Sequence, residues 1–323
     1  METLSNKSIL KYRHISSSTE EILEYIKARG EGTSKSLRTR WRKFNNLSMG
    51  GLEPGIIMTV AGISGSGKST FVNTLETDLI DLNRDEQVVV LSFSYEMHSS
   101  RQVGRKLSYK LRKTTAELYS GKDVSNDSAE AVNIDFQEVQ LEADRIKKYP
   151  IYYVDSPGTV EEMQNTISFF QNVIAKNKWL VVIIDHTLLI KGQSNEGERS
   201  IIVNLEKMLI EAKKVGKTSI LQISQMNRNI ESSERQNNPG MHYPMRSDLS
   251  SSDAIFQASD YVIIIHRPEI LGLEQYGPNN LPVKDCIYIH FLKNRDGEVK
   301  ILKFFNELKF NNIRETEPSE QKQ

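Results

Sequence analysis

An α/β fold, a mostly parallel sheet flanked by helices with a β-hairpin near its C-terminal end, is what this 323-residue sequence predicts. Three observations predict it. Short apolar runs rich in β-branched residues alternate with longer stretches of helical periodicity. The first six of those runs are mostly continuous rather than alternating, as strands buried on both faces of a parallel sheet are. The last two are separated by the turn-forming Lys293-Asn294-Arg295-Asp296-Gly297, which reads as an antiparallel connection.

Taken in order, the chain opens with a basic arm over residues 1–46. Ten Lys and Arg from Lys7 to Lys43 stand against five acids from Glu2 to Glu31, about +5 in a chain whose total is balanced at 42 against 42. Within the arm, Ser17-Ser18-Thr19-Glu20-Glu21 reads as a capped helix start before Ile22, Leu23, Tyr25 and Ile26, with Gly30, Gly32 and Thr33 as its stop. Strands are expected at 56–61, 88–94, 151–154, 180–185, 219–224, 261–266, 286–292 and 299–305, and helices at 68–82, 100–113, 129–147, 160–176 and 201–214. The polar tail is expected to be disordered, which divides the chain into an arm (1–46), a catalytic-type domain (47–312) and a tail (313–323).

Composition narrows the function classes. Hydrophobic residues make up 38%, enough for a sizeable core. The single cysteine, Cys286, excludes an intrachain disulfide framework and points to a reducing, cytoplasmic setting. No apolar run approaches the ~20 residues of a membrane span, and the polar residues 1–11 do not read as a secretory leader, so no membrane partner is expected. Zero net charge excludes a globally basic surface, so any grip on nucleic acid has to be local.

Residues 62–69, Gly62-Ile63-Ser64-Gly65-Ser66-Gly67-Lys68-Ser69, fit G-x-x-x-x-G-K-[ST] directly after an expected strand and before an expected helix. Glycines let backbone N–H groups curl around phosphate oxygens, and the helix N-terminus adds its positive end. Gly62, Ser64, Gly65, Ser66, Gly67, Lys68, Ser69 and Thr70 are therefore the candidate ATP-binding residues, with Lys68 directed at the β/γ-phosphates and the Ser69 hydroxyl at Mg²⁺. The run Leu180–Asp185 ends an apolar strand in a carboxylate, the second group expected to hold the metal. Hydrolysis also needs a group that orients or deprotonates water. Glu96 and Gln225 both fall at the carboxyl edge where doubly wound sheets bind ligands, although each taken singly reads equally as an exposed loop residue.

In this order the pieces resemble the C-terminal ATPase domain of DnaB-type replicative helicases. Gly50-Gly51-Leu52-Glu53-Pro54-Gly55 is similar to the family's approach to its phosphate loop, and Ser94-Tyr95-Glu96-Met97 to its catalytic-glutamate segment. Val154-Asp155-Ser156-Pro157-Gly158-Thr159 resembles its "DTPGLT"-like turn, Ser224-Gln225-Met226-Asn227-Arg228 its sensor-glutamine motif, and Lys293-Asn294-Arg295-Asp296-Gly297 its K-x-R-N-G hairpin. The resemblance implies a RecA-like P-loop NTPase fold and a ring, usually of six subunits, with ATP between neighbours. It implies Glu96 as the catalytic base, Gln225 as the γ-phosphate sensor, and Lys293 and Arg295 as a pair inserted into the next subunit's site. Translocation 5′ to 3′ on single-stranded DNA, duplex unwinding, and a primase or helicase loader as partner follow from the same resemblance, as does a bacterial or phage-infected host. The arm's amphipathic segment resembles the family's linker helix.

The sequence departs from that pattern in three places. About fifty residues precede the ATPase core, where the family's larger N-terminal helical domain is not expected to fit. His186-Thr187-Leu188 follows Asp185 where Tyr-Leu-Gln is usual, and His186 carries no assigned role. Ser250-Ser251-Ser252-Asp253 stands where the family has an Arg-Glu-Ser-Gly DNA loop. The candidate DNA contacts are accordingly Arg199, Arg228 and Arg235 on polar loops, Arg246 just upstream of that altered segment, and Ser250 within it. The basic run 101–113 reads as a solvated helix face, with phosphate tracking as its alternative. Two other functions remain open at this point: a RecA-like ATPase that remodels or recombines DNA without unwinding it, and a nucleotide-gated assembly or loader protein.

Overall fold

The structure, a computed structural model, describes residues 11–119, 134–192, 196–250 and 252–315. It divides into two units, Met1–Ser36 and Leu37–Gln323. Among the described residues the first holds one helix, α1 (Ile15–Gly30), with no buried residue. It begins two residues before the expected serine cap, because the His14 ring accepts the Ser16 N–H at 3.2 Å and caps the helix itself.

The boundary expected after residue 46 falls at Ser36 instead. Leu37, Trp41 and Phe44 are core residues of the second unit, and Leu37 pairs with Leu52 in an isolated bridge. Helix α2 (Arg42–Leu47) carries Phe44 inward. The Trp41 ring stacks on Phe71 with centroids 4.5 Å apart, and its indole N–H donates to Ile313 O at 2.7 Å. The basic count of the arm hid this aromatic pair at helical spacing. The other boundary moves as well: residues 312–315, expected at the edge of a tail, form a ninth strand. The expected disorder of 316–323 lies outside the described residues.

The second unit then follows the expected alternation. In order come β1 (Ile57–Gly62), α3 (Lys68–Asp81), β2 (Val88–Ser94), α4 (Ser99–Leu111), α5 (Thr115–Tyr119), α6 (Phe136–Ile146), β3 (Ile151–Val154), α7 (Val160–Phe169), β4 (Trp179–Asp185), α8 (Glu198–Ala212), β5 (Lys217–Gln225), α9 (Ser233–Gln236), α10 (Ser252–Ala258), β6 (Tyr261–His266), β7 (Cys286–Asn294), β8 (Ile301–Glu307) and β9 (Asn312–Glu315). Of the helix expected at 129–147, residues 129–133 lie outside the described residues. The helix expected at 160–176 is α-helical only to Phe169 and widens to a π turn over Phe170–Ile174.

The strands form one sheet in the order β3-β2-β4-β5-β1-β6-β7-β8-β9. The six from β3 to β6 are parallel, and the last three pair antiparallel. Every residue of β1, β2, β4 and β6 is buried, which is why those runs read as continuous apolar stretches. The strand order places the carboxyl ends of β1, β2, β4 and β5 side by side, the edge where open α/β sheets bind ligands.

A polar seam crosses this apolar sheet. Gln222 on β5 donates to Glu206 Oε2 of α8 at 3.2 Å and to the Thr59 hydroxyl at 3.1 Å, and Thr59 meets Ser259 at 2.7 Å. Burial pushes the Glu206 carboxyl up to about 8, so it is neutral at pH 7. The folded chain therefore keeps a proton that the unfolded chain releases above the ordinary carboxylate range. Stability falls as pH rises from that range to about 8, and the cost is complete above it. Glu206→Gln preserves the acceptor for Gln222 and abolishes the titration. Thermal melts should show the variant more stable by on the order of 5 kcal/mol at about pH 9, with the gain shrinking toward about pH 5. A difference independent of pH would contradict this account.

Candidate active site

The phosphate loop is held open by steric demands that only glycine meets. A Cβ on Gly62 would lie 2.5 Å from Ile265 O and from Ser66 Oγ. Gly67 has φ +104°, and a Cβ there would come within 3.1 Å of Leu308. Lys68, the first residue of α3, folds back to donate to Gly62 O at 2.7 Å and Ile63 O at 2.9 Å. Burial lowers its ammonium, and Glu96 and Asp185 act in the opposite sense. Lys68 is thus a cation already placed among its acids and loosely tethered by two carbonyls.

Strand register brings the remaining groups to it. Gly62 pairs with Gln225, and Asp185 pairs with Ser94, two residues before Glu96. The Tyr95 and Glu96 N–H groups both donate to Asp185 O, at 2.8 and 3.3 Å, which ties the Glu96 segment to the end of β4. A cavity of about 410 Å³ results. Gly62, Ser64, Gly65, Gly67, Lys68, Ser69, Thr70, Glu96 and Gln225 line it, together with Arg105 and Asn311. Ser66 is fully buried in the loop, and its hydroxyl has no hydrogen-bond partner among the described residues. Asp185 is 4% exposed, and its Oδ1 is a buried acceptor without a partner. Burial first, and the neighbouring Glu96 second, push its carboxyl up to about 7, against the pull of Arg105 and Lys68. A buried carboxylate oxygen without a partner among the described residues, close enough to Lys68 of the phosphate loop to feel its charge, fits a hard divalent cation.

Two residues of this site escaped the sequence reading. Arg105, taken as part of a solvated face, lines the cavity, and its Nη1 is buried without a partner among the described residues. Burial works against its charge while Asp185 and Glu96 favour it. Its helix, α4, is not free. The Ser99 N–H and hydroxyl both donate to the Asp155 carboxylate at 2.8 and 2.7 Å, which gives the Asp155-Ser156-Pro157-Gly158 turn its structural purpose. Lys106, 1% exposed, meets Glu76 of α3 at 2.5 Å. Lys110 pairs with Asp81. Only the alternation of these partners with the helix period, invisible in one sequence, separates this run from a solvated one.

His186 is the second. Its Nδ1 accepts the Leu188 N–H at 3.3 Å, and its Nε2 lies 3.2 Å from the Gln225 carboxamide. Burial lowers its basicity, which favours the neutral ring. The Gln225 atom that faces it is the amide nitrogen, so the contact holds the Gln225 side chain beside the ring at the end of β4.

The other expected residues lie elsewhere. Lys293 and Arg295 are at the opposite edge of the sheet: Lys293 pairs with Val262, and Arg295 follows the Asn294–Tyr261 pair, where β6 begins. Arg199, in the first turn of α8, and Ser250 line a groove of about 1,040 Å³ between α8 and α10. Arg228 and Arg246 are exposed, and Arg246 pairs with Asp253 at 2.8 Å. Arg235 is a correction: it is 4% exposed and committed to Asp248 at 2.5 Å, with further bonds to Met241 O and Tyr243 O, so it braces its segment and meets no strand.

Among the described residues, no helix is long and apolar enough to cross a membrane. The chain is similar over 178 residues to proteins named replicative DNA helicase DnaB from Mycobacterium leprae (strain TN) and Mycobacterium intracellulare, at 26% identity in each case. That segment is 55% of this chain but only 27% and 28% of those relatives. Among solved structures, one described as an ATPase domain superposes with a TM-score of 0.78 at 18% identity, covering 95% of this chain and 100% of that one. A structure described as a DnaB-like replicative helicase and its interactions with primase gives 0.73 at 16% identity, covering 92% of this chain and 66% of the other. The fold is therefore RecA-like, with mostly parallel strands and an antiparallel C-terminal extension. The DnaB-like helicase C terminal domain matches residues 36–315, the same span that carries the sheet and the cavity, and the chain belongs to that family.

Proposed function

We propose that this chain is the motor of a ring-shaped replicative helicase that hydrolyses ATP between subunits, translocates 5′ to 3′ on single-stranded DNA and unwinds duplex. The observation that supports it most is the division of the catalytic set. Lys68, Ser69, Glu96 and Gln225 line one cavity beside buried Asp185, while Lys293 and Arg295 lie at the far edge of the sheet. A site built that way is complete only when a second copy supplies the far pair, which is how a ring of six couples hydrolysis to subunit geometry.

The residues divide the work accordingly. The loop N–H groups and Lys68 hold the β- and γ-phosphates, and Lys68 exchanges its two carbonyl acceptors for phosphate oxygens. Ser69 and Asp185 would hold Mg²⁺, which when bound neutralises charge on those phosphates. Glu96, exposed at the end of β2, takes the proton of the attacking water, and the Gln225 carboxamide, held beside His186, reports the γ-phosphate. Arg199, Arg228, Arg246 and Ser250, beyond the carboxyl ends of β4 and β5, supply strand contacts through phosphates. A primase or loader would engage the assembled ring.

The test is steady-state ATP hydrolysis with and without single-stranded DNA, beside displacement of a strand from a 5′-tailed fork. Stimulation with displacement is expected. Stimulation without displacement would favour a DNA-remodelling ATPase, and indifference to DNA a nucleotide-gated assembly protein.

A further inference from the structure

Residues 246–250 and 252–257 touch three parts of the molecule that the proposed function treats separately. Near the start of this segment stands Arg246, a candidate strand contact. In the middle, the Ser250 N–H donates to Gln225 O at 3.0 Å, and Leu249 forms a bridge with Met226, so the segment is fastened to the sensor of its own site. At the end, Lys293 Nζ donates to Phe256 O at 2.7 Å and Gln257 O at 3.2 Å. The same ammonium lies 5.3 Å from the centre of the Phe256 ring, and the Arg246 guanidinium lies 4.5 Å from that centre. One aromatic ring therefore carries both the strand-facing cation and the cation assigned to the neighbouring site.

That arrangement is physically biased toward release. Burial disfavours the Lys293 charge, and Arg295, Arg246 and Lys213 add repulsion against the attraction of Asp260. The ammonium rests on two carbonyls and a ring rather than on a carboxylate. Arg246 is also tied to α10 through Asp253. A strand phosphate that engages Arg246 competes with both Asp253 and the Phe256 ring, so binding is transmitted to the short helix whose last carbonyls hold Lys293.

We propose that Phe256 is a positioning residue that couples strand binding at the Arg246–Ser250 loop to Lys293, and through it to hydrolysis in the adjacent subunit. Engagement of Arg246 shifts α10 and frees Lys293 from Phe256 O and Gln257 O for the neighbour's phosphate. The inference rests on the trans role of Lys293 in the proposed function.

Phe256→Leu in the full chain removes the π face and keeps an apolar side chain; Phe256→Met serves the same purpose if melting shows the Leu variant unfolded. Phe256→Tyr keeps the face. For each, ATP hydrolysis is measured without DNA and with a saturating oligo-dT, and oligo-dT affinity by fluorescence anisotropy. The Leu or Met variant should bring the ratio of stimulated to basal hydrolysis down at least about fivefold toward one, with DNA affinity within about twofold of the parent and the Tyr variant close to the parent. Retention of the parent ratio in the Leu or Met variant overturns the coupling alone, as does an equal loss in the Tyr variant. A parent protein whose hydrolysis ignores DNA overturns the helicase reading and this inference with it.

Discussion

Glu96→Gln is expected to lower ATP turnover by roughly 10²–10⁴-fold at saturating nucleotide, the usual contribution of a positioned general base. The two carboxylates of the site compete for that role, and their surroundings separate them. Asp185 is buried and carries an orphaned oxygen, and burial with the nearby Glu96 charge keeps its carboxyl at about 7, a setting that suits a cation ligand. Glu96 stands exposed at the end of β2, where a water can reach it. The amide is isosteric, and Lys68, Ser69 and the loop N–H groups are untouched, so KM should change only a few-fold. Removing the Glu96 charge also relieves Asp185 of the neighbour that raises it, so cation binding should not weaken. Rapid-quench turnover and nucleotide titration separate these quantities. A variant that retains more than about a tenth of the parent kcat would take the base assignment away from Glu96.

How much of this was legible in the sequence depended on whether a residue's partner was near it in the chain or in an unbroken pattern. The sheet was readable because β1, β2, β4 and β6 are buried along their whole length and read as continuous runs. Lys68 and Ser69 could be placed at the cavity because the loop's backbone fixes their spacing, and Asp185 at the end of β4 because it closes an apolar run. Glu96 and Gln225 required the order of several motifs, since each alone is a polar residue past a strand. Arg105 and His186 were not readable. Arg105 is distinguished from Arg101 only by facing Asp185 and Glu96 across the fold, and His186 only by register with Gln225. Trp41 and β9 failed for the same reason: the indole's partner, Ile313, is 272 residues away. The restraint on Arg235 is as distant in kind, since nothing around it in sequence announces that Asp248 will be buried against it.

Mixing Lys68→Ala subunits with Arg295→Ala subunits is expected to restore hydrolysis that neither variant shows alone. Along β1, Met58 pairs with Tyr261, and Gly62 lies four residues further, so Arg295 is about 13 Å or more from its own phosphate loop along the strand direction. No side-chain rotation spans that distance through a fully buried sheet, and Arg295 has no part in its own site. It is nonetheless poised to leave its present partner. Its guanidinium is half exposed and pairs at 3.0 Å with the buried Asp260, whose other oxygen is held by Lys213. Asp260 keeps a cation and a donor afterwards, because Lys213 Nζ at 2.5 Å and the Ile57 N–H at 2.8 Å both donate to its Oδ2, although Oδ1 gives up its partner. Arginine supplied across an interface contributes roughly 10³–10⁵-fold to phosphoryl transfer, so Arg295→Ala alone should be nearly inactive, as should Lys68→Ala. In a mixture of equal parts, roughly a quarter of the junctions join an intact Lys68 to an intact Arg295 in a head-to-tail ring. Titration of one variant into the other should therefore trace a bell-shaped curve with its maximum near equal proportions. A flat baseline at every proportion would mean that the cavity is completed from within one chain, which the register of β6 and β7 does not permit, or that the copies do not share sites at all.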